Sequence, residues 1–417
     1  MSQLLVEHRA PVGVGECLEL RCERLVHLGR GLAHHRGQVV FLFGAVPGEL
    51  VRARVTERRP FYLRADVEEV LETAPGRVAP PCPVFGECGG CQLQHLEYPG
   101  QLAAKREVLL DELRARGLEP PADFALLGAA SPYAYRWRGE FHRGQDATLG
   151  FKSRNGYRTV PVSSCAIHSD EINAALGSVG AALAQESSGV QTVSITRVEE
   201  GLLLQTRPDV RSGPRVALAA TGPGTPLLGT ESGSLLYGSR SFRVTPSSFI
   251  QLNQGTLPQL YETVVGWLAD EVAGRLVVDA YAGTGVLSVR LADLGAEVVA
   301  VESVAAAARL ATLHAEMYAE RQMTVRRGDV EAVLPEFPGC HAIVLDPPRS
   351  GLSPGVRGWL GLAGPPILVY LSCDVAALGR DLETLCRLGP YRLERLRLVD
   401  MFPQTYHFEV AAFLRRW

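Results

Sequence analysis

The sequence predicts a multidomain α/β protein. The length of 417 residues exceeds what one hydrophobic core usually holds. Short strand patterns separated by glycine turns fill residues 1–73, whereas apolar strands alternate with helical patterns in residues 251–417. The first pattern is typical of a small β-barrel and the second of a doubly wound parallel sheet. Residues 74–250 lie between these two regions and are predicted to form a mainly β central domain.

Composition indicates a soluble, cytoplasmic protein. Hydrophobic residues make up 46% of the chain and charged residues 21%, which is ordinary for a globular protein. Residues 1–11 lack the apolar core of a signal peptide, and no apolar run is long enough to cross a bilayer. The nine cysteines are an odd number and fit a disulfide framework poorly. We therefore expect reduced thiols that are available as ligands or nucleophiles.

The N-terminal region has the pattern of an oligonucleotide-binding (OB-like) barrel. Residues 17–23 alternate apolar and polar side chains, as a half-buried strand does, and further strand patterns follow at 38–43 and 49–55. The glycine patterns at residues 29–33 and 44–49 resemble the TRAM domain, an RNA-binding barrel attached to several RNA-modifying enzymes. Any small barrel would show similar turns.

The central region combines a helix, strand patterns and an arginine-rich stretch. The helix is predicted at about residues 99–117 and is a candidate to pack on the catalytic domain, and strand patterns occur at 194–198 and 201–206. The net charge of −3 gives no overall nucleic-acid signal. Residues 136–158, however, interleave arginines with aromatic rings. That mixture suits RNA, and it equally suits an ordinary solvated β surface.

The C-terminal region has the pattern of an enzyme. Strands are predicted at residues 276–279, 298–302, 342–346, 367–372 and 408–413. Charged and reactive side chains follow the earlier strands directly. Ligands of open α/β sheets bind at the carboxyl ends of the strands, so we expect a ligand crevice there.

A glycine turn follows the first of these strands. Gly283 and Gly285 lack a Cβ, so the backbone can approach a ligand closely. Glu302 ends the next strand, where a carboxylate can accept hydrogen bonds from ribose hydroxyls. A structural turn and a nicotinamide dinucleotide site remain alternatives, although the third glycine of the dinucleotide fingerprint is absent. The whole segment resembles the class I, Rossmann-like S-adenosylmethionine methyltransferases.

Two residues near the C-terminus are candidates for catalysis. Cys373 follows the apolar strand 367–372 and is expected to face the crevice. A free cysteine is more often a core residue, and that interpretation fits Cys17, Cys22, Cys340 and Cys386. Glu409 lies in an otherwise apolar strand, where an acid without a role is costly. We predict that Cys373 is a nucleophile and that Glu409 is a base.

Several motifs together resemble the bacterial RNA (uracil-5-)-methyltransferases of the RumA/RlmD and TrmA kind, across essentially the whole chain. The motifs are SFIQLN at 248–253, DAYAGTG at 279–285, DPPR at 346–349, SC at 372–373 and DMFPQT at 400–405.

The resemblance implies that the chain methylates RNA with S-adenosylmethionine. Cys373 would add to carbon 6 of uracil, and Glu409 would remove the proton from carbon 5 after methyl transfer. The substrate nucleotide would lie near Arg136 and Phe249. The methyl donor would be bound by Gln251, Tyr281, Gly283, Gly285, Glu302, Asp329 and Asp346.

The expected substrate is a uridine of 23S rRNA, and the expected state is a monomer. A tRNA uridine, or a noncatalytic role as an RNA-binding or assembly factor, remains an alternative. One feature departs from the family, whose members usually have Asn-Pro after the catalytic cysteine; here Asp374-Val375 follow. A carboxylate beside a thiolate should raise the pKa of the thiol. Asp374 therefore either points away or takes over the hydrogen bonding of the asparagine.

The remaining cysteines have the spacing of a metal or cluster site. Cys82, Cys88 and Cys91 are separated by five and two residues, and Cys165 follows much later. Four thiolates can hold a [4Fe–4S] cluster or a structural zinc ion. Zinc sites more often have two CxxC pairs, and only one is present. The pattern resembles the cluster of the RumA/RlmD branch, which TrmA-type enzymes lack, and we expect its role to be structural.

Overall fold

The computed structural model describes residues 12–144, 148–185, 189–207 and 232–417. Residues 1–11, on which the expectation about a signal peptide rests, lie outside the described residues. None of the described helices has the length and the apolar character needed to span a membrane.

The N-terminal region forms one six-stranded sheet. Its strand order is β1-β5-β6-β4-β3-β2, with β4 and β6 parallel and the other neighbours antiparallel. Alternate side chains of the strands, such as Val40, Leu42 and Val51, form a separate core. The strands are β1 (Cys17–Arg21), β2 (Arg24–Val26), β3 (Arg30–His35), β4 (Gln38–Phe43), β5 (Leu50–Arg58) and β6 (Tyr62–Glu72).

The central region contributes to two different sheets. Its own antiparallel sheet has the order β10-β9-β8-β11-β12, and Ile172 of α2 packs on Phe141 and Ile195 of that sheet. By contrast, β7 joins the sheet of the C-terminal region. The elements are α1 (Tyr98–Ala115), β7 (Asp123–Leu127), β8 (Arg138–Arg143), β9 (Leu149–Lys152), β10 (Thr159–Pro161), α2 (Asp170–Gln185), β11 (Thr192–Val198) and β12 (Gly201–Arg207).

A short hairpin precedes the catalytic-looking motifs and packs with them. Its strands are β13 (Gly233–Tyr237) and β14 (Arg240–Val244). Tyr237 and Phe242 of this hairpin belong to the same core as Leu260 and Val277.

The C-terminal region forms an eight-stranded sheet with the order β17-β16-β15-β18-β19-β21-β20-β7. The five strands from β17 to β19 are parallel. The elements are α3 (Leu257–Leu268), β15 (Leu276–Ala280), α4 (Val286–Ala292), β16 (Glu297–Glu302), α5 (Ala305–Tyr318), β17 (Met323–Arg327), α6 (Val330–Val333), β18 (Ala342–Leu345), α7 (Pro354–Ala363), β19 (Ile367–Ser372), α8 (Val375–Leu382), β20 (Tyr391–Val399) and β21 (Glu409–Arg416).

The last strand differs from the sequence prediction of a parallel sheet. β21 runs antiparallel to both β19 and β20. The connection from β20 to β21 is short, whereas a parallel neighbour needs a long crossover. The strand also begins at Glu409 rather than at Phe408.

Helix α1 covers one face of this sheet. Leu109 and Leu113 of α1 pack in the same core as Leu345, Tyr370 and Leu396. The N-terminal half of the chain therefore supplies both a strand and a helix to the C-terminal fold.

Candidate active site

A pocket opens at the carboxyl ends of β15 and β18. It brings together five residues that the sequence predicted for the site, although they lie far apart in the chain: Phe249, Gln251, Tyr281, Gly283 and Asp346. Hairpin residues of β13 and β14, which the sequence did not predict for the site, close one side: Leu235, Tyr237, Phe242 and Val244.

The glycine turn after β15 is shaped by left-handed backbone and by Glu302. Tyr281, Gly283 and Gly285 have positive φ angles of 68°, 56° and 82°. Glu302 Oε2 accepts a hydrogen bond from the backbone N–H of Gly283 at 2.9 Å, and its Oε1 accepts one from Val304 at 2.6 Å. A Cβ at Gly285 would lie 2.9 Å from the Met323 methyl, whereas one at Gly283 would contact nothing. The absence of a Cβ at Gly285 therefore allows Met323 to pack closely against the turn, whereas Gly283 has open space around it.

Two carboxylates beside the pocket have raised pKa values. Burial, with a smaller contribution from the neighbouring Glu302, raises the pKa of Asp279 to about 7, although the hydrogen bond that Ser288 donates acts in the opposite direction. Burial and the charge of Asp279 raise the pKa of Asp346 to about 7. Acids that are costly to ionise alone gain from a positive charge nearby. The pocket is therefore suited to a cationic ligand.

The other residues predicted for this pocket differ in their placement. Gln251 is 7% exposed, and its backbone oxygen accepts a hydrogen bond from the Gln254 amide at 2.6 Å. Asp329 is exposed and caps α6 by accepting from the N–H of Glu331 at 2.9 Å. Asp329 lies outside the pocket lining, but it is close enough to help burial raise the pKa of Tyr281 to about 12.

Cys373 and Glu409 lie opposite each other where β19 and β21 end their pairing. Ser372 pairs with Val410 in the antiparallel ladder, so the next residues along the two strands are Cys373 and Glu409. Cys373 is half-buried, and Glu409 is only 4% exposed. The two predicted catalytic residues are thus neighbours, and the charge of Asp346, which lines the pocket, reaches both of them.

The electrostatic environment disfavours ionisation of both groups. Burial and then the charge of Glu409 raise the pKa of Cys373 to about 12, and Arg349 lowers it in part. Burial and Asp346 raise the pKa of Glu409 well above its ordinary value, again with Arg349 acting in the opposite direction. The thiol therefore needs further assistance to ionise at neutral pH.

Arg349 is a functional candidate that sequence reasoning left without a role. It lies exposed in the loop after β18, and among the described residues it forms no ion pair. Its charge reaches Cys373, Glu409 and His407, whose pKa values it lowers. The DPPR motif was the available signal, because it follows a strand that ends at the crevice.

The side chain of Asp374 is hydrogen-bonded to the helix that follows it. Its Oδ1 accepts from the backbone N–H of Ala377 at 2.9 Å and caps α8. Its backbone N–H and carbonyl both contact the hydroxyl of Ser372. Asp374 thus caps the helix that follows Cys373, and the sequence-based choice between its two arrangements stays a prediction.

Of the two residues predicted to contact the substrate nucleotide, Phe249 lines the pocket and Arg136 does not. Phe249 is 68% exposed and lines the pocket. Arg136 is half-buried, and its Nε donates to the carbonyl of Arg138 at 3.0 Å. Arg136 lies close enough to His407 to contribute to the lowered pKa of that imidazole, of which burial is the largest cause.

The four predicted ligand cysteines are neighbours in space. Burial is the largest cause that raises the pKa of Cys91 to about 12, and the nearby Cys165, Cys88 and Cys82 contribute in the same direction. All four are half-buried. In the part of the chain that the structure describes, no three His, Cys, Asp or Glu side chains are grouped so that they could hold a metal ion. The only structural support for the predicted iron–sulfur site among the described residues is that its four thiols lie near one another.

Comparisons with known proteins cover the whole chain. The family described as tRNA (Uracil-5-)-methyltransferase matches residues 237–417, and the TRAM domain matches residues 11–67. A 23S rRNA (uracil(1939)-C(5))-methyltransferase RlmD from Shewanella amazonensis is 33% identical over 95% of this chain and 95% of its own. An uncharacterized RNA methyltransferase from Thermosynechococcus vestitus is 31% identical over 96% and 98%.

A solved structure has the same arrangement of domains. The Pyrococcus abyssi tRNA (uracil-54, C5)-methyltransferase, in complex with S-adenosyl-L-homocysteine, covers 95% of this chain and 100% of its own. The TM-score is 0.74 and the sequence identity is 21%, so the likeness shows the fold. The predictions of a TRAM domain and of a Rossmann-like methyltransferase domain are confirmed.

Proposed function

The chain belongs to the RNA (uracil-5-)-methyltransferases of the RumA/RlmD kind, and on this basis we propose that it methylates specific uridines of 23S rRNA. It is an enzyme, so the noncatalytic alternative does not apply. The observation that supports the proposed chemistry best is the placement of Cys373 opposite Glu409, beside the pocket that contains Asp346.

The two residues meet the requirements of the reaction. Carbon 5 of uracil is a poor nucleophile until a thiolate adds to carbon 6. Cys373 forms that bond, and electrons move to the oxygen at carbon 4. Carbon 5 then takes the methyl group that S-adenosylmethionine supplies when bound. Glu409 accepts the proton from carbon 5, and the bond between the sulfur and carbon 6 breaks.

The pocket offers suitable partners for a sulfonium cofactor. The carboxylates of Asp346 and Asp279 favour a positive charge, and Glu302 fixes the glycine turn. We assign the methyl donor to Gln251, Tyr281, Gly283, Gly285, Glu302, Asp329 and Asp346, with Phe249 and Arg136 towards the nucleotide.

We also propose a [4Fe–4S] cluster on Cys82, Cys88, Cys91 and Cys165. Four neighbouring thiols fit this group, since a [4Fe–4S] cluster is held by four cysteine thiolates. The cluster would join the segment near Cys82 to the loop that carries Cys165.

The cluster proposal has a direct chemical test. Anaerobically isolated protein should contain iron and acid-labile sulfide in equal amounts, and Cys88→Ser should lose both. Cys386→Ser, which alters a cysteine outside the set, should retain them. Zinc in place of iron would support the structural zinc alternative instead.

The proposed activity is tested by trapping. RNA with 5-fluorouridine and S-adenosylmethionine should leave the enzyme covalently bound, because fluorine cannot leave as a cation. Cys373→Ala should abolish the adduct, whereas Cys340→Ala should not. A 23S rRNA fragment should react and tRNA should not; reaction with tRNA alone would reassign the substrate. No adduct on any RNA would refute the mechanism.

We further propose that the protein is a cytoplasmic monomer.

A further inference from the structure

The connection between β20 and β21, residues 400–408, is held by helix α1 through paired amides. The backbone N–H of Gln404 donates to Gln101 Oε1 at 2.9 Å, and Gln101 Nε2 donates to Gln404 Oε1 at 3.0 Å. Gln101 Nε2 also reaches the carbonyls of Leu93 and Leu96. Gln101 and Gln404, which are 303 positions apart in the chain, thus each donate a hydrogen bond to the other.

Gln404 has a backbone conformation that needs such support. Its φ is 69°, in the left-handed region that disfavours side chains, and it is 2% exposed. Its carbonyl accepts hydrogen bonds from the backbone N–H groups of Gln92 and Leu93, both at 3.0 Å. Gln92 directly follows Cys91, so the cysteine segment contacts the same turn as α1.

An ion pair holds the start of the connection. Lys105 Nζ donates to Asp400 Oδ1 at 2.7 Å and to the carbonyl of Phe402 at 3.1 Å. The side chains are 2% and 0% exposed. A buried ion pair of this kind adds little net stability compared with apolar residues, which suggests that it is retained for a specific geometry.

Other parts of the chain fasten the same connection. The Tyr135 hydroxyl donates to the carbonyl of Pro403 at 2.9 Å, and the Asn253 amide donates to the carbonyl of Met401 at 3.3 Å. Glu409 directly follows the connection as the first residue of β21, and His407 lies two residues before it with its ring against Tyr406. By contrast, Cys373 follows β19 and is outside this set of contacts.

We propose that Gln101 and Lys105 are positioning residues that hold the 400–408 connection so that Glu409 reaches the proton on carbon 5. Both lie on the buried face of α1, one helical turn apart, in line with the core residues Leu109 and Leu113. This inference depends on the proposed function. It assigns α1 to the second half of the reaction, in which Glu409 takes the proton and the sulfur leaves.

The placement separates two steps that can be measured. Attack by Cys373 and methyl transfer precede the action of Glu409. A connection that has lost its support should therefore leave adduct formation nearly intact and slow its resolution. On ordinary uridine RNA, the methylated covalent complex should accumulate.

The test uses the full-length protein with radiolabelled methyl donor. Gln101→Ala should slow decay of the methyl-labelled protein–RNA complex by about tenfold or more, while trapping by 5-fluorouridine RNA changes by less than about threefold. Lys105→Met should behave in the same way, and Lys105→Arg should restore part of the resolution rate. Glu409→Gln provides the reference for blocked resolution, and Arg106→Ala on the exposed face of α1 provides the control.

The outcomes are distinct. Equal slowing of formation and resolution, or no change in either, would overturn the positioning role while leaving the reaction intact. A wild-type enzyme that gives no adduct would overturn the proposed function and this inference together. If Gln101→Ala does not fold, Lys105→Met decides: a lowered ratio of the resolution rate to the trapping rate supports the positioning role, and an unchanged ratio refutes it.

Discussion

The carboxylate of Asp374 accepts a hydrogen bond from the backbone N–H of Ala377 at 2.9 Å and so caps the helix that follows Cys373. The cap explains how an aspartate can stand where related enzymes usually have asparagine, because either side chain has an oxygen that accepts this bond. The difference between the two is a charge beside Cys373.

Replacing that charge should make the thiol easier to ionise. Among the groups that raise the pKa of Cys373, Asp374 has the smallest effect. Asp374→Asn keeps the cap, so alkylation of Cys373, followed by peptide mass spectrometry, should move to lower pH. Adduct formation at neutral pH should rise by less than about tenfold, the equivalent of one pKa unit. Asp374→Ala should instead cost about 1 kcal/mol of stability through the lost cap. An unchanged alkylation profile in Asp374→Asn would show that the charge is screened.

Arg349 should assist ionisation of the nucleophile. Its charge opposes the burial and the acids that raise the pKa of Cys373. Arg349→Met should therefore shift the pH profile of 5-fluorouridine trapping to higher pH and slow it at neutral pH by about tenfold. Arg349→Lys should recover part of the rate because it keeps the charge. Arg321→Met, an exposed arginine elsewhere, serves as the control, and a loss in that variant as well would argue against a local effect.

Glu302 should act on the methyl donor through the glycine turn. Both carboxylate oxygens accept backbone hydrogen bonds, from Gly283 and from Val304. Glu302→Gln keeps only one acceptor oxygen, so calorimetry should show binding of S-adenosylhomocysteine weakened by about tenfold or more, given roughly 1.5–3 kcal/mol for a charged hydrogen bond. Glu297→Gln, at the exposed start of the same strand, should bind normally. Equal weakening in both variants would point to general destabilisation.

Asp346 should make the ligand-free protein less stable at high pH. Its pKa is raised to about 7 in the folded state, so the folded protein binds a proton that the unfolded chain releases. Stability should fall as the pH rises from about 4 to about 7, then level off. Asp346→Asn should remove this loss, with a gain at pH 8 on the order of 1–2 kcal/mol after allowance for partial exposure. Urea unfolding at pH 5 and at pH 8 measures the free energy of unfolding, with Asp270→Asn as the control. A gain in stability of Asp346→Asn that is equal at both pH values would contradict the raised pKa of Asp346.

The local part of the site could be predicted from the sequence. The strand before Gly283, the strand ending at Glu302 and the strand before Cys373 are short, apolar and bounded by turn residues, so their patterns are complete within a few positions. Carboxyl ends of parallel strands meet at one edge, which brings their following residues together.

The parts that depend on distant partners could not be predicted. β7 pairs with β20 across some 270 residues of sequence, as between Ala125 and Arg397, and nothing in its local pattern distinguishes one sheet from another. β20 itself is rich in arginine, so its apolar alternation is weak. Gln101 and Lys105 read as ordinary polar positions of a helix. Only the three-dimensional packing shows that they are buried against Gln404 and Asp400.

The strand β7 and the helix α1 have a consequence for how this enzyme can be divided. Residues 237–417 contain the recognisable methyltransferase motifs, yet a chain cut at position 237 would leave β20 with a bare edge and Asp400 buried without Lys105. Such a fragment should aggregate or fail to mature. The two halves therefore depend on each other structurally, and swapping RNA-binding regions between relatives requires a junction before Tyr98 rather than one at the start of the motifs.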